Sequence, residues 1–293
     1  MIDKAVIPAA GLGTRLLPST KEHPKEMLPL FMKTLSGDIC VKPLLQIVFE
    51  ELYRTGIQNF CFITGRTKRS IEDHFTPDYN YITQLKRQNK IAIADEIKRL
   101  YAMLEKSNIF WVNQSEPRGF GDAVLHVNPL ILKDEDFIVY AGDNYIISSK
   151  NTYLRRLISA HERLESDATF LVNEVEDPRQ YGVIVGELVA DKLFKVNRVF
   201  EKPSSPPSNI AIHAVYVFNK KIFNALRNIN PNNGELQLTD AIQWLIDHNS
   251  RVYAVQLEPD ELRIDIGDPH SYWKALQASY DNTTHQSENY PDT

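Results

Sequence analysis

Short apolar runs of β type alternate with longer helical patterns through the first half of the chain, and that alternation leaves few folds open. The strand candidates are residues 5–8, 60–64, 109–112 and 137–140. Between them, Pro43 suits the first turn of a helix whose apolar positions Leu44, Leu45, Val48, Phe49 and Leu52 recur at helical spacing until Gly56 ends it. The pattern predicts a second helix over about 81–106, a third from near Gly121-Asp122-Ala123 and a fourth over 152–165. Buried strands alternating with helices belong to a doubly wound, mostly parallel, Rossmann-like α/β sheet covered on both faces. The second half changes character. Its β-type runs, 168–175, 183–187, 194–201 and 211–218, are separated by turn residues such as Ala190-Asp191-Lys192 and predict an added antiparallel layer.

At roughly 100–200 residues per domain, 293 residues allow one large domain or two small ones. The prolines of 203–207 form a loop too short to separate two bodies. The expectation is therefore one domain over 1–282, with halves at about 1–150 and 151–282 and a frayed tail at 283–293. Charge narrows the function classes: 33 Lys+Arg against 38 Asp+Glu leaves −5, which argues against wrapping nucleic acid by bulk charge. Cys40 and Cys61 cannot staple a fold of this size and read as reduced thiols. No apolar run approaches the roughly 20 residues of a membrane span, and the first residues enter a strand at once, with no room for a signal peptide. The expected location is the cytoplasm, with no membrane partner.

The residues that carry chemistry follow the first strand. Ala9-Ala10-Gly11-Leu12-Gly13-Thr14-Arg15 leads to Pro18, and then comes Pro24-Lys25-Glu26-Met27-Leu28. Two glycines after a strand let backbone N–H groups approach phosphate oxygens, and Arg15 and Lys25 add two cations. A dinucleotide fingerprint needs a third glycine three residues after the second; Leu16 stands there, and Pro18 interrupts the helix that should follow. An NAD-dependent oxidoreductase is disfavoured on that ground. Gly142-Asp143-Asn144 lies just past an apolar strand, where open α/β sheets place ligands. Glu235 and Asp240 also suit a helix N-terminus, and His213, within a β-type run, reads as an interior or pocket-lining residue.

These motifs together resemble those of the sugar-1-phosphate nucleotidylyltransferases, with the bacterial branch that joins UTP to glucose 1-phosphate nearest. The resemblance continues through Gln114 with Gly119-Phe120-Gly121-Asp122-Ala123, then Gly142-Asp143, Tyr181-Gly182-Val183, Glu201-Lys202-Pro203, Glu235-x-Gln237-Leu238-Thr239-Asp240 and Asp265-Ile266-Gly267, in the family's order. It implies nucleotide binding by Ala9, Ala10, Gly11, Gly13, Thr14, Arg15, Glu26, Gln114 and Gly119, and sugar binding by Gly142, Gly182, Glu201 and Lys202. It further implies that Arg15, Lys25 and Lys202 are catalytic and that Asp143 and Asp265 ligate Mg²⁺. UTP and glucose 1-phosphate are the implied substrates, and a homo-oligomer, dimer or tetramer, the implied state. Other readings stay open: dTTP or another sugar phosphate on the same fold, or a catalytically inactive regulatory homologue. Three departures touch the base side, one being Ser115-Glu116-Pro117-Arg118 where small and basic residues are usual. Asp122 stands where the bacterial enzymes usually carry His, and residues 34–38 resemble an insertion that would lengthen a loop near the nucleotide pocket.

Overall fold

The computed structural model describes residues 2–148 and 152–285. In chain order the elements are β1 (Lys4–Pro8), β2 (Pro29–Lys33), β3 (Ile39–Pro43), α1 (Leu44–Arg54), β4 (Asn59–Thr64), α2 (Arg69–His74), α3 (Tyr79–Arg87), α4 (Ile91–Glu105) and β5 (Asn108–Asn113). They continue with α5 (Phe120–Leu125), β6 (Phe137–Tyr140), β7 (Asn144–Ile147), α6 (Tyr153–Arg163), β8 (Ala168–Glu174), β9 (Gly182–Ala190), β10 (Leu193–Glu201) and β11 (Ile210–Phe218). Last come α7 (Lys221–Asn228), α8 (Leu238–Asp247), β12 (Val252–Gln256), β13 (Leu262–Asp265) and α9 (Pro269–His285).

A nine-stranded sheet in the order β5-β4-β1-β6-β11-β8-β12-β10-β9 forms the backbone of this mixed α/β fold. β5, β4, β1 and β6 run parallel, and β8 pairs parallel with β12. β11 runs antiparallel to both β6 and β8, so the antiparallel strands extend the same sheet edge to edge instead of stacking on it. Alternation along the strands explains the continuous apolar runs. Ala5, Ile7, Phe60, Phe62, Ile138 and Tyr140 enter the core under α1, α4, α6 and α9. Val6, Cys61, Ile63, Phe137 and Val139 enter a second core under α5, α7 and α8 on the other face. Among the described residues no helix is long and apolar enough to cross a membrane.

Three expectations need correction. The helix predicted over 81–106 is two helices, because Asn89 takes a left-handed conformation at φ 61°. Its N–H donates to the Lys86 carbonyl and that of Lys90 to the Leu85 carbonyl, which closes α3 without a glycine. Residues 34–38 are a turn, but the segments they join, Pro29–Lys33 and Ile39–Pro43, are paired strands absent from the strand candidates. The turn is tied to α4 by the Leu35 N–H donating to Glu96, and β2 lies under α9, with Phe31 and Tyr280 edge to face at 5.2 Å. Of the tail expected to fray, 283–285 continue α9 with Thr283 buried, and 286–293 lie outside the described residues.

Candidate active site

β1 ends at Pro8, and Ala9 and Ala10 stay buried, the Ala9 N–H donating to the Ile63 carbonyl at 2.8 Å. The chain then leaves the core and turns at Gly13. There φ is 64° and a Cβ would stand 3.2 Å from Thr20, whose hydroxyl donates to the Gly13 carbonyl. The left-handed φ favours glycine here, and a Cβ would also crowd Thr20. Thr14–Leu16 is a single 3₁₀ turn that puts Arg15 on the surface of the loop, its guanidinium packed against Gly267. Gly11 lies above Lys25, whose Cε is 3.7 Å from where a Cβ would be.

Lys25 binds the carboxylate of Asp143, in the turn between β6 and β7. β7 in turn pairs antiparallel with β13, so Asn144 faces Asp265 across the ladder, and the Ile266 N–H donates to the Asp143 carbonyl. This two-stranded pairing brings two distant aspartates to the ends of the parallel strands. Burial works against the charge on Lys25, but Asp143, Glu26 and Asp265 outweigh it and hold its pKa above the ordinary value. Asp143 is pushed up by burial, yet Lys25 and the Asn144 amide bring its pKa below normal. Asp265 moves the other way: burial and then the Asp143 charge raise it, against the pull of Arg263, Lys25 and Arg15. Beneath them Glu26, 1% exposed, pairs with Lys68 at 2.7 Å, and burial raises its pKa despite that partner. Gly142 is pinned between Leu45, the Pro8 carbonyl and Glu26, within 3.4 Å of where its Cβ would stand.

A second group lies on the antiparallel strands. Glu201 closes β10, accepts a 2.7 Å hydrogen bond from Thr239 and stands 3.4 Å from the missing Cβ of Gly182. Lys202 follows with φ 39°, its ammonium 3.4 Å from Glu201 and its side chain 60% exposed. Arg263 links the two groups: its guanidinium stacks over the Tyr181 ring at 4.2 Å and lies 3.9 Å from Asp265. Two of its nitrogens are buried without a hydrogen-bond partner among the described residues. Neither Arg263 nor Lys68 was foreseen. For Arg263 a signal existed, since two residues before Asp265 in a strand means the same face; for Lys68 there was none.

Gln114 follows β5 at the same end of the sheet, its N–H donating to the Thr64 carbonyl. Its side-chain amide donates to Asp122 and to the Gly119 carbonyl. Gly119, at φ 104°, is required by the backbone of Leu236, 2.8 Å from where a Cβ would be. Its neighbour in space is thus the 235–236 segment. Among the described residues no group of three or more His, Cys, Asp or Glu is arranged to hold a metal. Asp143 and Asp265 are a carboxylate pair, and two carboxylates beside substrate phosphates are a common way of holding Mg²⁺.

A glycine loop after a parallel strand, two cations above it and a carboxylate pair across it define an α/β enzyme that handles nucleotide phosphates. The nucleotidyl transferase family model matches residues 4–282, and the chain belongs to that family. Among its relatives is a UTP–glucose-1-phosphate uridylyltransferase of Bacillus subtilis, 38% identical over 278 residues, covering 94% of this chain and 88% of that protein. A second enzyme of that name, from Staphylococcus saprophyticus, is 38% identical over 278 residues, with 93% and 90% covered. The fold resembles a crystal structure of UDP-glucose pyrophosphorylase complexed with UDP-glucose, at TM-score 0.80 and 33% identity, covering 96% of this chain and 99% of that one. It also resembles a UTP-bound UGPase of Acinetobacter baumannii, at TM-score 0.81 and 28% identity, with 98% and 100% covered.

Proposed function

We propose that this chain transfers the uridylyl group of UTP to glucose 1-phosphate, giving UDP-glucose and pyrophosphate. The observation that carries the reading is the cluster of Arg15, Lys25, Asp143 and Asp265 over the strand ends, within a family match that spans the chain. In the reaction a phosphate oxygen of glucose 1-phosphate bonds to the α-phosphorus of UTP while the bond to the β-phosphate oxygen breaks. Pyrophosphate leaves with that electron pair, and no covalent enzyme intermediate is needed. Such chemistry depends on alignment and charge neutralisation more than on a protein nucleophile. Backbone groups of Ala9, Ala10, Gly11, Gly13 and Thr14 cradle the triphosphate, Arg15 offsets the departing pyrophosphate, and Lys25 holds its charge at the reacting phosphate. Glu26 fixes the floor of that pocket. Lys202 receives the attacking phosphate, Glu201 accepts hydrogen bonds from sugar hydroxyls, and the backbone of Gly142 and Gly182 lines the place of the sugar. Gln114 and Gly119 meet the base.

Asp143 and Asp265 fit a Mg²⁺ ion: they are hard oxygen donors, and Asp265, raised first by burial and then by the Asp143 charge, feels a like-charge repulsion that a divalent cation would relieve. When bound, the ion would neutralise phosphate charge and orient the triphosphate. The first half, about 1–150, serves the nucleotide and the second, about 151–282, the sugar. The enzyme is read as cytoplasmic and as a homo-oligomer, dimer or tetramer, which light scattering would establish.

A panel of nucleoside triphosphates against several sugar 1-phosphates, with pyrophosphate release measured, tests the function. UTP with glucose 1-phosphate should lead, dTTP should follow, and ATP and CTP should fall far behind. No pyrophosphate from any pair would favour the inactive homologue, and equal use of UTP and ATP would refute the base assignment.

A further inference from the structure

We propose that Asp122 is a positioning residue that sets which base this site accepts, by holding the Gln114 amide so that only its carbonyl oxygen is left for the base. The proposal rests on the reading of Gln114 as the base-contacting residue.

Gln114 is 4% exposed, so the orientation of its side chain is governed by its immediate neighbours. Its Nε2 lies 2.7 Å from Asp122 Oδ2 and 3.2 Å from the Gly119 carbonyl oxygen. Both neighbours are pure acceptors, a carboxylate and a backbone carbonyl. Turned round, the amide would set Oε1 against two oxygens in a buried site, a repulsion with no hydrogen to relieve it. The direction of the amide is therefore set by chemistry. Each of the two Nε2 hydrogens has an acceptor, and Oε1 receives no hydrogen bond from a described residue.

The clamp is rigid on both sides. Gly119 is locked by the Leu236 segment, through the Leu236 N–H donating to the Arg118 carbonyl and the Gly121 N–H donating to the Leu236 carbonyl, each at 2.8 Å. Asp122 lies in the first turn of α5, where the helix dipole favours an anion, and His126 Nδ1 stands 3.7 Å from its carboxylate one turn on. Of the amide's two faces the base thus meets the acceptor alone. Uracil presents an N3–H donor to it, and thymine presents the same edge. Cytosine presents a bare N3 lone pair, and the two acceptors repel. Without Asp122 only the longer 3.2 Å contact to the Gly119 carbonyl would hold the amide, a weaker bar to turning over to serve the other base, so the discrimination belongs mainly to the Gln114–Asp122 pair.

The test compares kcat/KM for UTP, dTTP and CTP with glucose 1-phosphate in the parent enzyme, Gln114→Ala, Asp122→Ala, Asp122→Leu and Asp122→Asn. The parent should prefer UTP to CTP by about 100-fold or more. The Ala and Leu changes both remove the acceptor but differ in volume, so at least one should fold. Each should shrink the UTP:CTP ratio about tenfold or more, with the loss mainly in KM. Asp122→Asn still offers an acceptor oxygen and should hold the ratio within about threefold of the parent. If Gln114→Ala loses discrimination while the Ala and Leu variants at 122 keep it, the positioning role is overturned and the base reading stands. If Gln114→Ala keeps discrimination, the base reading itself fails. An Asn variant as indiscriminate as Ala would also overturn the acceptor role.

Discussion

Lys202 has little to do until a ligand arrives. Its side chain is 60% exposed and, among the described residues, its ion pair is with the neighbouring Glu201 at 3.4 Å, so its cation can swing onto a phosphate at little desolvation cost. Lys202→Ala should lower kcat/KM for glucose 1-phosphate about ten- to a hundredfold, the worth of one charge-assisted contact, with UTP binding nearly unchanged. Isothermal titration with UTP and steady-state kinetics in the sugar phosphate separate the two effects. Asp265 sits in the opposite situation, its carboxylate crowded by Asp143. Asp265→Asn keeps the shape and removes one of two negative charges, so activity should fall steeply and the Mg²⁺ concentration for half-maximal rate should rise. An unchanged Mg²⁺ dependence would show that Asp265 is no ligand. Placement was legible where a charged residue closely follows a strand end in the chain, as with Arg15 and Lys25 after β1. The Asp122 clamp was illegible because what matters there is which atoms meet in space, and the i, i+2 relation of Arg263 to Asp265 counts only once 262–265 is known to be a strand.

At the scale of elements, α1 is held to α6 by a buried acid. Glu51 accepts a hydrogen bond from Tyr153, whose hydroxyl also meets that of Tyr140 at 3.0 Å. Burial, the dominant influence, pushes Glu51 up to about 8 from an ordinary 4.5, against the Tyr153 hydrogen bond and Arg54. The folded state thus binds a proton that the unfolded chain releases near pH 4.5. Stability from this group is complete below about pH 4.5 and is lost as pH rises through about 8. Glu51→Gln keeps an acceptor for Tyr153 and should melt near the parent at pH 5 but increasingly above it up to pH 9. Thermal melts across that range check the sign. The α3–α4 junction makes a second prediction. Asn89→Val places a β-branched residue at φ 61° and should lower stability by about 1–3 kcal/mol in urea, whereas Asn89→Gly should be nearly neutral. That junction was illegible because asparagine marks a left-handed cap far less plainly than glycine, as comparison with Gly56 after α1 makes evident.

Across the whole molecule, the doubly wound half was legible because its strands are covered on both faces and so read as unbroken apolar runs. β7, β12 and β13 are only four or five residues long, and β13, Leu-Arg-Ile-Asp, carries two charges. Nothing in such a segment announces a strand. Yet β13 pairs with β7 apart from the large sheet, and that pairing alone sets Asp265 opposite Asn144, beside Asp143. A growing chain emerges from the ribosome N-terminus first, so the glycine loop, Arg15, Lys25 and Asp143 are present long before β13 is translated. Until then the carboxylate pair has one member, and β7 has an open edge. On the proposed function, competence to react would therefore arrive late in synthesis, as a final clasp, and a nascent or truncated chain ending before residue 262 would hold its glycine loop without the second carboxylate.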